Sequence, residues 1–219
     1  MSLTPAILAT EERLLEAAGE VFAELGFRAA TVREICRRAG QANVAAVNYH
    51  FGSKESLYLA VLRYAHGRVT EQLPAEAPVG GTSPRDRLAA FVRHFLHRLL
   101  DQRRPAWHHK IILREISEPS RVLDPLVEEV MRPHFELLRG IVTDLLGPGA
   151  SPDRIRFCIN SVLGQCLYYR HCRSVIEHLE PEQGFEPADI DAIAGHVAQF
   201  SLAAMHAPRA SGNGKGGKR

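Results

Sequence analysis

The 219-residue chain has 45% hydrophobic and 24% charged residues, an ordinary composition for a globular protein with a sizeable core. With 27 Lys and Arg against 25 Asp and Glu, its formal net charge of +2 is too small to indicate a nucleic-acid binder by itself. Any such function has to come from a local positive patch.

Cysteine usage and targeting patterns predict a reduced cytoplasmic protein. No N-terminal stretch combines basic residues with an apolar run, so we expect no signal peptide. Apolar runs are too short and too often broken by charge to cross a bilayer, so no membrane partner is expected. The cysteines show neither CxxC pairing nor the spacing of a zinc site: Cys36, Cys158, Cys166 and Cys172.

The first two predicted helices carry clear start and stop signals. The first begins near Thr10, whose hydroxyl can cap a helix, and ends at Gly26. The second begins at Thr31, which forms a capping box with Glu34, and closes at Gly40. One apolar stripe recurs along the first helix at steps of three and four residues: Leu14, Ala18, Val21, Phe22 and Leu25.

Two further helices complete a compact N-terminal head. The third predicted helix runs from Asn43, a favourable N-cap, through Phe51. After the break at Gly52, the fourth begins at Ser53 and runs to about Thr70. A stretch rich in Pro, Gly and Ala from Pro74 to Pro84 then predicts a linker.

The remaining segments also read as helices, so the predicted fold class is all-α. No sustained apolar and polar alternation supports a sheet. The predicted helices are Pro84 to Gln102, Trp107 to Ser117, Leu123 to Leu146 with a bend near Pro133, Ser151 to His178, and Pro187 to His206. Residues 207–219 have no apolar content to bury and are predicted to be a disordered tail.

Charge in the head is polarised in the way a helix-turn-helix requires. Two short helices joined through Gly40, the second rich in small and hydrogen-bonding residues, match this motif. The first helix holds Glu11, Glu12, Glu16, Glu20 and Glu24. The segment of residues 28–54 holds Arg28, Arg33, Arg37, Arg38 and Lys54 against Glu34 alone. Positive charge therefore lies on the two helices that would meet DNA phosphates.

The segments AAGEVFAELGFRAATVREICRRAG and NVAAVNYHFGSKESLYLAVL, within residues 13–62, resemble the DNA-binding head of the TetR family of repressors. The turn of residues 40–43 is one residue longer than the usual pattern. The chain also resembles a subgroup with an NVAAVNYHF recognition helix. The resemblance implies a helix-turn-helix domain at 8–54 and a larger helical ligand-binding and dimerisation domain at 55–206.

This resemblance and the helix geometry predict the DNA contacts. Asn48 can pair with an adenine edge, and Ala45 and Ala46 can touch thymine methyls. Tyr49 and His50 are expected on phosphates. The full predicted set is Thr31, Arg33, Asn43, Ala45, Ala46, Asn48, Tyr49, His50 and Lys54. Alternatives stay open: Thr31 as a cap alone, His50 packed on the fourth helix, and Arg37 and Arg38 as a solvated face. Val47, Phe51 and Cys36 are expected in the core.

The resemblance further implies a small-molecule pocket in the body and a four-helix bundle formed with a second copy by the last two helices. Broad apolar faces on the predicted helices from Asp153 and Pro187 favour this homodimer, although a large monomeric core is an alternative. Pocket candidates are polar or aromatic residues inside apolar helices: Phe95, Trp107, His108, Arg114, Tyr168, Tyr169 and His171.

The sequence favours a regulator over an enzyme. The body carries no hydrolase elbow, phosphate loop or pair of Glu-x-x-His motifs. His94, His97 and Asp101 share a helix face, but a solvated face is the better interpretation, and we expect neither metal nor cofactor. The favoured function is a sequence-specific repressor that leaves its double-stranded operator when a small effector binds. An activator or a constitutive DNA-organising protein is the alternative.

Overall fold

The computed structural model describes residues 5–67, 83–100 and 105–207. These ranges hold eleven α-helices and no strand, which confirms the predicted all-α fold. The helices are α1 (Pro5–Ala29), α2 (Val32–Arg38), α3 (Ala45–Phe51), α4 (Lys54–Gly67), α5 (Pro84–Leu100), α6 (Ala106–Ser117), α7 (Leu123–Leu126), α8 (Arg132–Leu146), α9 (Pro152–His171), α10 (Arg173–Leu179) and α11 (Pro187–His206).

The chain divides into two compact units. Described residues 5–67 and 105–136 form the first unit, so α6, α7 and the start of α8 pack with the four N-terminal helices. Described residues 83–100 and 137–207 form the second unit, which holds α5, the rest of α8, and α9 to α11. None of the described helices is both long and apolar enough to span a bilayer.

The predicted stripe of α1 packs into the core of the first unit. Phe22 makes an edge contact with Tyr58 at 4.7 Å between ring centroids, and Phe27 lies 5.0 Å from the same tyrosine. Leu25, predicted on this stripe, is instead 45% exposed. The chain leaves the helical conformation at the next residue, Gly26 (φ 78°), and Phe27 takes the place over Tyr58.

Several predicted helix ends need correction. The first helix begins at Pro5, because proline suits the first turn, and not at Thr10. The third begins at Ala45, with Val44 at the N-cap position instead of Asn43. Residues 68–70, 74–82, 101–102 and 208–219, which include most of the predicted linker and tail, lie outside the described residues.

The two remaining departures concern long predicted helices. The predicted helix from Ser151 to His178 is interrupted at Cys172 (φ −98°, ψ 13°), where α9 ends and α10 begins. No residue type at this position marks the break. A π-helical turn, Val127–Met131, lies near the predicted bend and ends two residues before Pro133. Proline has no amide hydrogen to donate to the preceding turn, so the regular ladder is interrupted there.

The second unit is held together by a core of Leu, Ile and Val side chains and by charged contacts between its helices. Arg93 donates from Nε to Asp191 Oδ1 at 2.7 Å, and His97 Nε2 lies 2.6 Å from the same oxygen. Arg154 donates to the carbonyl of Met205 at 2.8 Å, near the end of α11. These contacts fix α5 and α9 against α11.

Candidate nucleic-acid interface and regulatory site

Half of the capping box predicted for α2 forms: Thr31 caps the helix, whereas the Glu34 carboxylate accepts from Arg37 through both of its oxygens. Thr31 has an extended backbone (φ −116°, ψ 145°), and its Oγ1 accepts a hydrogen bond from the backbone amide of Glu34 at 3.2 Å. One turn further along the helix, Ile35 and Cys36 are buried, and burial raises the pKa of the Cys36 thiol. The prediction of Cys36 as a core residue is confirmed, and its burial helps to set the rotation of α2.

The long turn between α2 and α3 begins with a glycine-centred helix stop. Gly40 has a φ of 67° and donates to the Arg37 carbonyl at 3.2 Å, while the Gln41 amide donates to the Cys36 carbonyl at 2.8 Å. This is a Schellman arrangement, which only glycine adopts without strain. Asn43 precedes the N-cap position, but it still caps an amide of α3, since its Oδ1 accepts a hydrogen bond from the Ala45 amide at 2.8 Å.

Helix α3, the predicted recognition helix, presents an accessible face above a buried anchor. Val47 is fully buried, and Phe51 is half-buried against the same core. Tyr49 is 76% exposed, and Asn48 is also exposed. Among the described residues, nothing hydrogen-bonds to the Asn48 side chain, so its amide is available to a base edge.

Two other predicted members of α3 are less accessible. Ala46 is half-buried and packs against the core. His50 is half-buried, with its ring 5.0 Å from that of Tyr49 and 6.2 Å from that of Phe51. Ala45 is exposed. The predicted DNA contacts on α3 therefore divide into three exposed side chains and two partly covered ones.

Part of the positive charge predicted for the DNA side is neutralised within the head. Arg37 donates to both carboxylate oxygens of Glu34, at 2.9 and 2.6 Å. Arg38 donates to Glu24 of α1 at 3.0 Å. The pKa values of Glu34 and Glu24 are lowered chiefly by these hydrogen bonds. Besides Glu34 of their own segment, these cations therefore face acids of α1, since Arg38 also lies 3.7 Å from Glu20.

Two cations of the predicted set lie at helix starts. Arg33 is exposed and has no ionic partner among the described side chains. The Lys54 ammonium lies 4.7 Å above the Phe27 ring and 3.4 Å from the Arg28 carbonyl. These contacts hold Lys54 at the N-terminus of α4, where a helix already favours a phosphate.

The predicted ligand-binding residues fall in both units. In the second unit, Phe95 stacks on Phe91 at 5.8 Å, Tyr169 is half-buried, and Tyr168 and His171 are exposed. In the first unit, Trp107 and His108 are buried and Arg114 is half-buried, and all three lie on α6. The Trp107 Nε1 donates to Glu16 of α1 at 3.2 Å.

The sequence interpretation missed one buried and one half-buried charged residue, Glu115 and Arg170. Glu115 is 1% exposed, and its Oε1 accepts from the amide and hydroxyl of Ser120, at 2.9 and 3.0 Å. The buried Nε of Arg170 has no acceptor among the residues that the structure describes, and the pKa of Arg170 is lowered by burial and then by Arg173. A signal for Arg170 existed, since it continues the three- and four-residue steps of the buried residues Ile159, Val162 and Cys166.

The predicted metal alternative gains no support from the described part of the chain. His97 is engaged with Asp191, and Asp101 lies outside the described residues. Within residues 5–67, 83–100 and 105–207, no group of three or more His, Cys, Asp or Glu side chains is placed to hold a metal ion.

Two known protein families match this chain. Residues 14–61 match the family "Bacterial regulatory proteins, tetR family", and residues 84–205 match "HTH-type transcriptional dual regulator CecR, C-terminal domain". The HTH-type transcriptional dual regulator CecR of Shigella flexneri is 30% identical over 170 residues, which span 73% of this chain and 75% of the relative.

Solved structures share the fold at low sequence identity. FadR from Bacillus subtilis, in complex with stearoyl-CoA, superposes with a TM-score of 0.61 at 18% identity, covering 89% of this chain and 99% of FadR. A TetR-like transcriptional regulator from Rhodococcus sp. RHA1 gives a TM-score of 0.61 at 21% identity, covering 92% and 99% of the two chains. The chain belongs to the tetR family of bacterial regulatory proteins, with a C-terminal domain of the CecR type, and is a DNA-binding transcriptional regulator.

Proposed function

We propose that this regulator is a homodimeric repressor that binds a double-stranded operator through α3 and leaves it when a small-molecule effector binds. The observation that carries the DNA part is the exposed face of α3, where the Asn48 amide has no partner within the described chain and Val47 anchors the helix below. An amide in a major groove can donate to and accept from one adenine edge, which gives sequence discrimination.

The phosphate contacts in this proposal come from the two helix starts beside α3. Thr31 and Arg33 lie at the start of α2, and Lys54 lies at the start of α4. Amide groups and the helix dipole favour phosphate at such positions. Tyr49 and His50 supply further backbone contacts, and Asn43, Ala45 and Ala46 complete the proposed set. We also propose that the chain falls in the subgroup with an NVAAVNYHF recognition helix.

A second copy of the chain is the proposed partner of α9 and α11. Phe157 and Tyr168 are exposed on α9, and Phe200 is exposed on α11. Gly164 and Gly195 are exposed on the same helices, and a Cβ at either would meet nothing within 4 Å, so another backbone can approach closely. A dimer would also place two recognition helices in successive major grooves, about one turn of DNA apart.

The domain limits proposed for these roles are residues 8–54 for DNA binding and 55–206 for regulation and dimerisation. The effector contacts proposed from the sequence are Phe95, Trp107, His108, Arg114, Tyr168, Tyr169 and His171. FadR of Bacillus subtilis was solved with stearoyl-CoA, which supports a small-molecule effector for a protein of this fold. Release from DNA then requires only that the effector binds more tightly to a conformer in which the two DNA-binding domains of the dimer are wrongly spaced for the operator half-sites. As a bacterial operator-binding protein, this regulator is proposed to work in the cytoplasm.

Binding of the purified protein to DNA upstream of its own reading frame tests the proposal. Fluorescence anisotropy at two salt concentrations measures affinity, and analytical ultracentrifugation of the complex measures stoichiometry. The proposal predicts a protected site with two half-sites, two protomers per site, and weaker binding at higher salt. One protomer per site, or equal affinity for random and upstream DNA, contradicts it. Expression of the adjacent gene in a deletion strain then separates repressor from activator, the CecR relative being a dual regulator.

A further inference from the structure

Helix α6 is seated on α1 through two matched contacts. Trp107 and Arg114 lie seven residues apart on α6, and the glycines that receive them, Gly19 and Gly26, lie seven residues apart on α1. Seven residues are two helical turns, or about 10 Å along an α-helix. The two helices therefore run in the same direction with one shared spacing. Ile111, between the two contacts on α6, is fully buried.

At the first contact, the indole ring occupies the space that a side chain on α1 would need. A Cβ on Gly19 would lie 2.3 Å from Trp107 Cζ3, far inside van der Waals contact. The indole Nε1 donates to Glu16 Oε2 at 3.2 Å. The other oxygen of Glu16 accepts from the Tyr64 hydroxyl at 2.7 Å, so α1, α4 and α6 meet at this one carboxylate. Gly19 lies inside a helix, where glycine is unfavourable, and the indole contact accounts for its presence.

At the second contact, a guanidinium lies at the point where α1 leaves the helical conformation. Gly26 has a φ of 78°, and a Cβ there would lie 2.7 Å from Arg114 Nε. Arg114 Nη1 lies 3.4 Å from the carbonyl oxygen of Ala23 and 3.3 Å from that of Glu24. Carbonyls in the last turn of a helix have no helical amide to bond, and they attract a cation.

We propose that Trp107 and Arg114 are positioning residues for DNA recognition, which together lock the N-terminal head to α6 in a single register. A slide of α6 along α1 breaks both contacts at once, because both pairs share the same spacing. The lock therefore has one favourable register. Its use in regulation rests on the proposed effector release: a change that moves α6 also moves α1, and with it α2 and α3.

Trp107 is the single tryptophan of the chain, so its fluorescence reports the first contact directly. The test is to replace Arg114, two turns away, and to measure Trp107 emission and acrylamide quenching without DNA. In Arg114→Ala we expect a red shift and increased quenching at unchanged helical circular dichroism. The matched control is Glu118→Gln, which removes only the exposed acid 3.7 Å from Arg114 Nε and should leave emission unchanged. Arg114→Lys should restore most of the parent signal, since an ammonium also binds terminal carbonyls.

DNA affinity supplies the second readout. In Arg114→Ala we expect about a tenfold loss of affinity for the upstream site, with affinity for random DNA nearly unchanged, because the heads lose their mutual placement. Gly19→Ala, which disturbs the contact with Trp107, should cause a similar loss of affinity for the upstream site. Unchanged Trp107 emission in Arg114→Ala, or equal losses for upstream and random DNA, would overturn the proposal. If the parent binds no upstream site, the proposed function fails, and the emission comparison alone decides whether the two contacts are coupled.

Discussion

Arg37 and Glu34 form a two-bond ion pair on the exposed side of α2, with Nε to Oε2 at 2.9 Å and Nη2 to Oε1 at 2.6 Å. Glu34 is thus held in two ways, since its backbone amide also donates to Thr31. The arrangement pairs one cation on the side of the head that we propose faces DNA. It allows non-specific phosphate affinity to be changed without altering α3.

Glu34→Gln should raise affinity for random DNA. The change releases Arg37 and keeps the backbone amide that Thr31 caps, so the logarithmic salt slope should steepen by up to about one. Anisotropy titrations over a range of salt concentrations measure both effects. Asp124→Asn makes the same change in net charge at the exposed start of α7, and should leave the slope nearly as it is in the parent. An unchanged slope in Glu34→Gln would mean that Arg37 does not reach DNA.

Thr31→Ala should lower the free energy of unfolding by about 1 kcal/mol, because the Glu34 amide loses its acceptor at the start of α2. Urea unfolding followed by circular dichroism measures this loss. Thr31→Ser keeps a hydroxyl and should restore stability. Operator affinity, measured on the same variants, then separates the two roles: a drop in Thr31→Ala beyond that of an equally destabilised core variant indicates a phosphate contact as well as a cap.

Phe200→Glu should convert the proposed dimer to a monomer. Phe200 is 59% exposed on α11, and a carboxylate placed there opposes burial against a second copy. Sedimentation velocity gives the mass, and operator affinity should fall with it because two heads no longer act together. Val175→Glu is the matched control, since Val175 is 54% exposed but lies on α10 outside the proposed face. A Phe200→Glu protein that sediments with the parent would place the dimer interface elsewhere.

Asp191 predicts a pH-dependent part of the stability. Hydrogen bonds from Arg93, and then from His97, hold the pKa of this carboxyl well below its ordinary value of 3.8. Because the pKa of Asp191 is lower in the folded state, its ionised carboxylate stabilises the fold at pH values above the pKa of the unfolded state. This stabilisation is lost as the pH falls below that value. The free energies of unfolding of the parent and of Asp191→Asn should differ most above about pH 4 and should converge in more acidic buffer. Arg93→Gln should show a smaller pH-dependent loss of stability, since the contact of His97 with Asp191 remains. A difference in free energy of unfolding between parent and Asp191→Asn that is constant with pH would contradict this assignment.

Local features of the fold are predictable from the sequence because their causes are local. Thr31 caps α2 as expected, and Ser151 caps α9 at the predicted start of that helix; each hydroxyl accepts a hydrogen bond from the amide three residues later. Gly26 and Gly40 both have positive φ, as the helix stops require. Val47 and Cys36 are buried because the spacing of apolar residues on short amphipathic helices determines which face turns inward.

Contacts between distant segments could not be predicted in this way. The partner of Arg38 is Glu24, on another helix, and the seats of Trp107 and Arg114 lie about ninety residues earlier in the chain. Trp107 has the character of a pocket residue, an aromatic ring with a polar atom inside an apolar helix, but in the structure its ring lies against Gly19. Only the packing of α6 on α1 supplies that information. The predicted DNA and effector contacts stay predictions for the same reason, since their partners are other molecules.

The central claim, that α3 reads a base sequence through Asn48, is tested most directly by Asn48→Ala. The measurement is the ratio of operator to random DNA affinity, by anisotropy in the same buffer, for parent and variant. Loss of a paired hydrogen bond to one base should lower operator affinity by about 1 to 3 kcal/mol and leave affinity for random DNA unchanged, so the ratio falls. A ratio that stays at the parent value would show that Asn48 reads no base and that another part of the head recognises the operator.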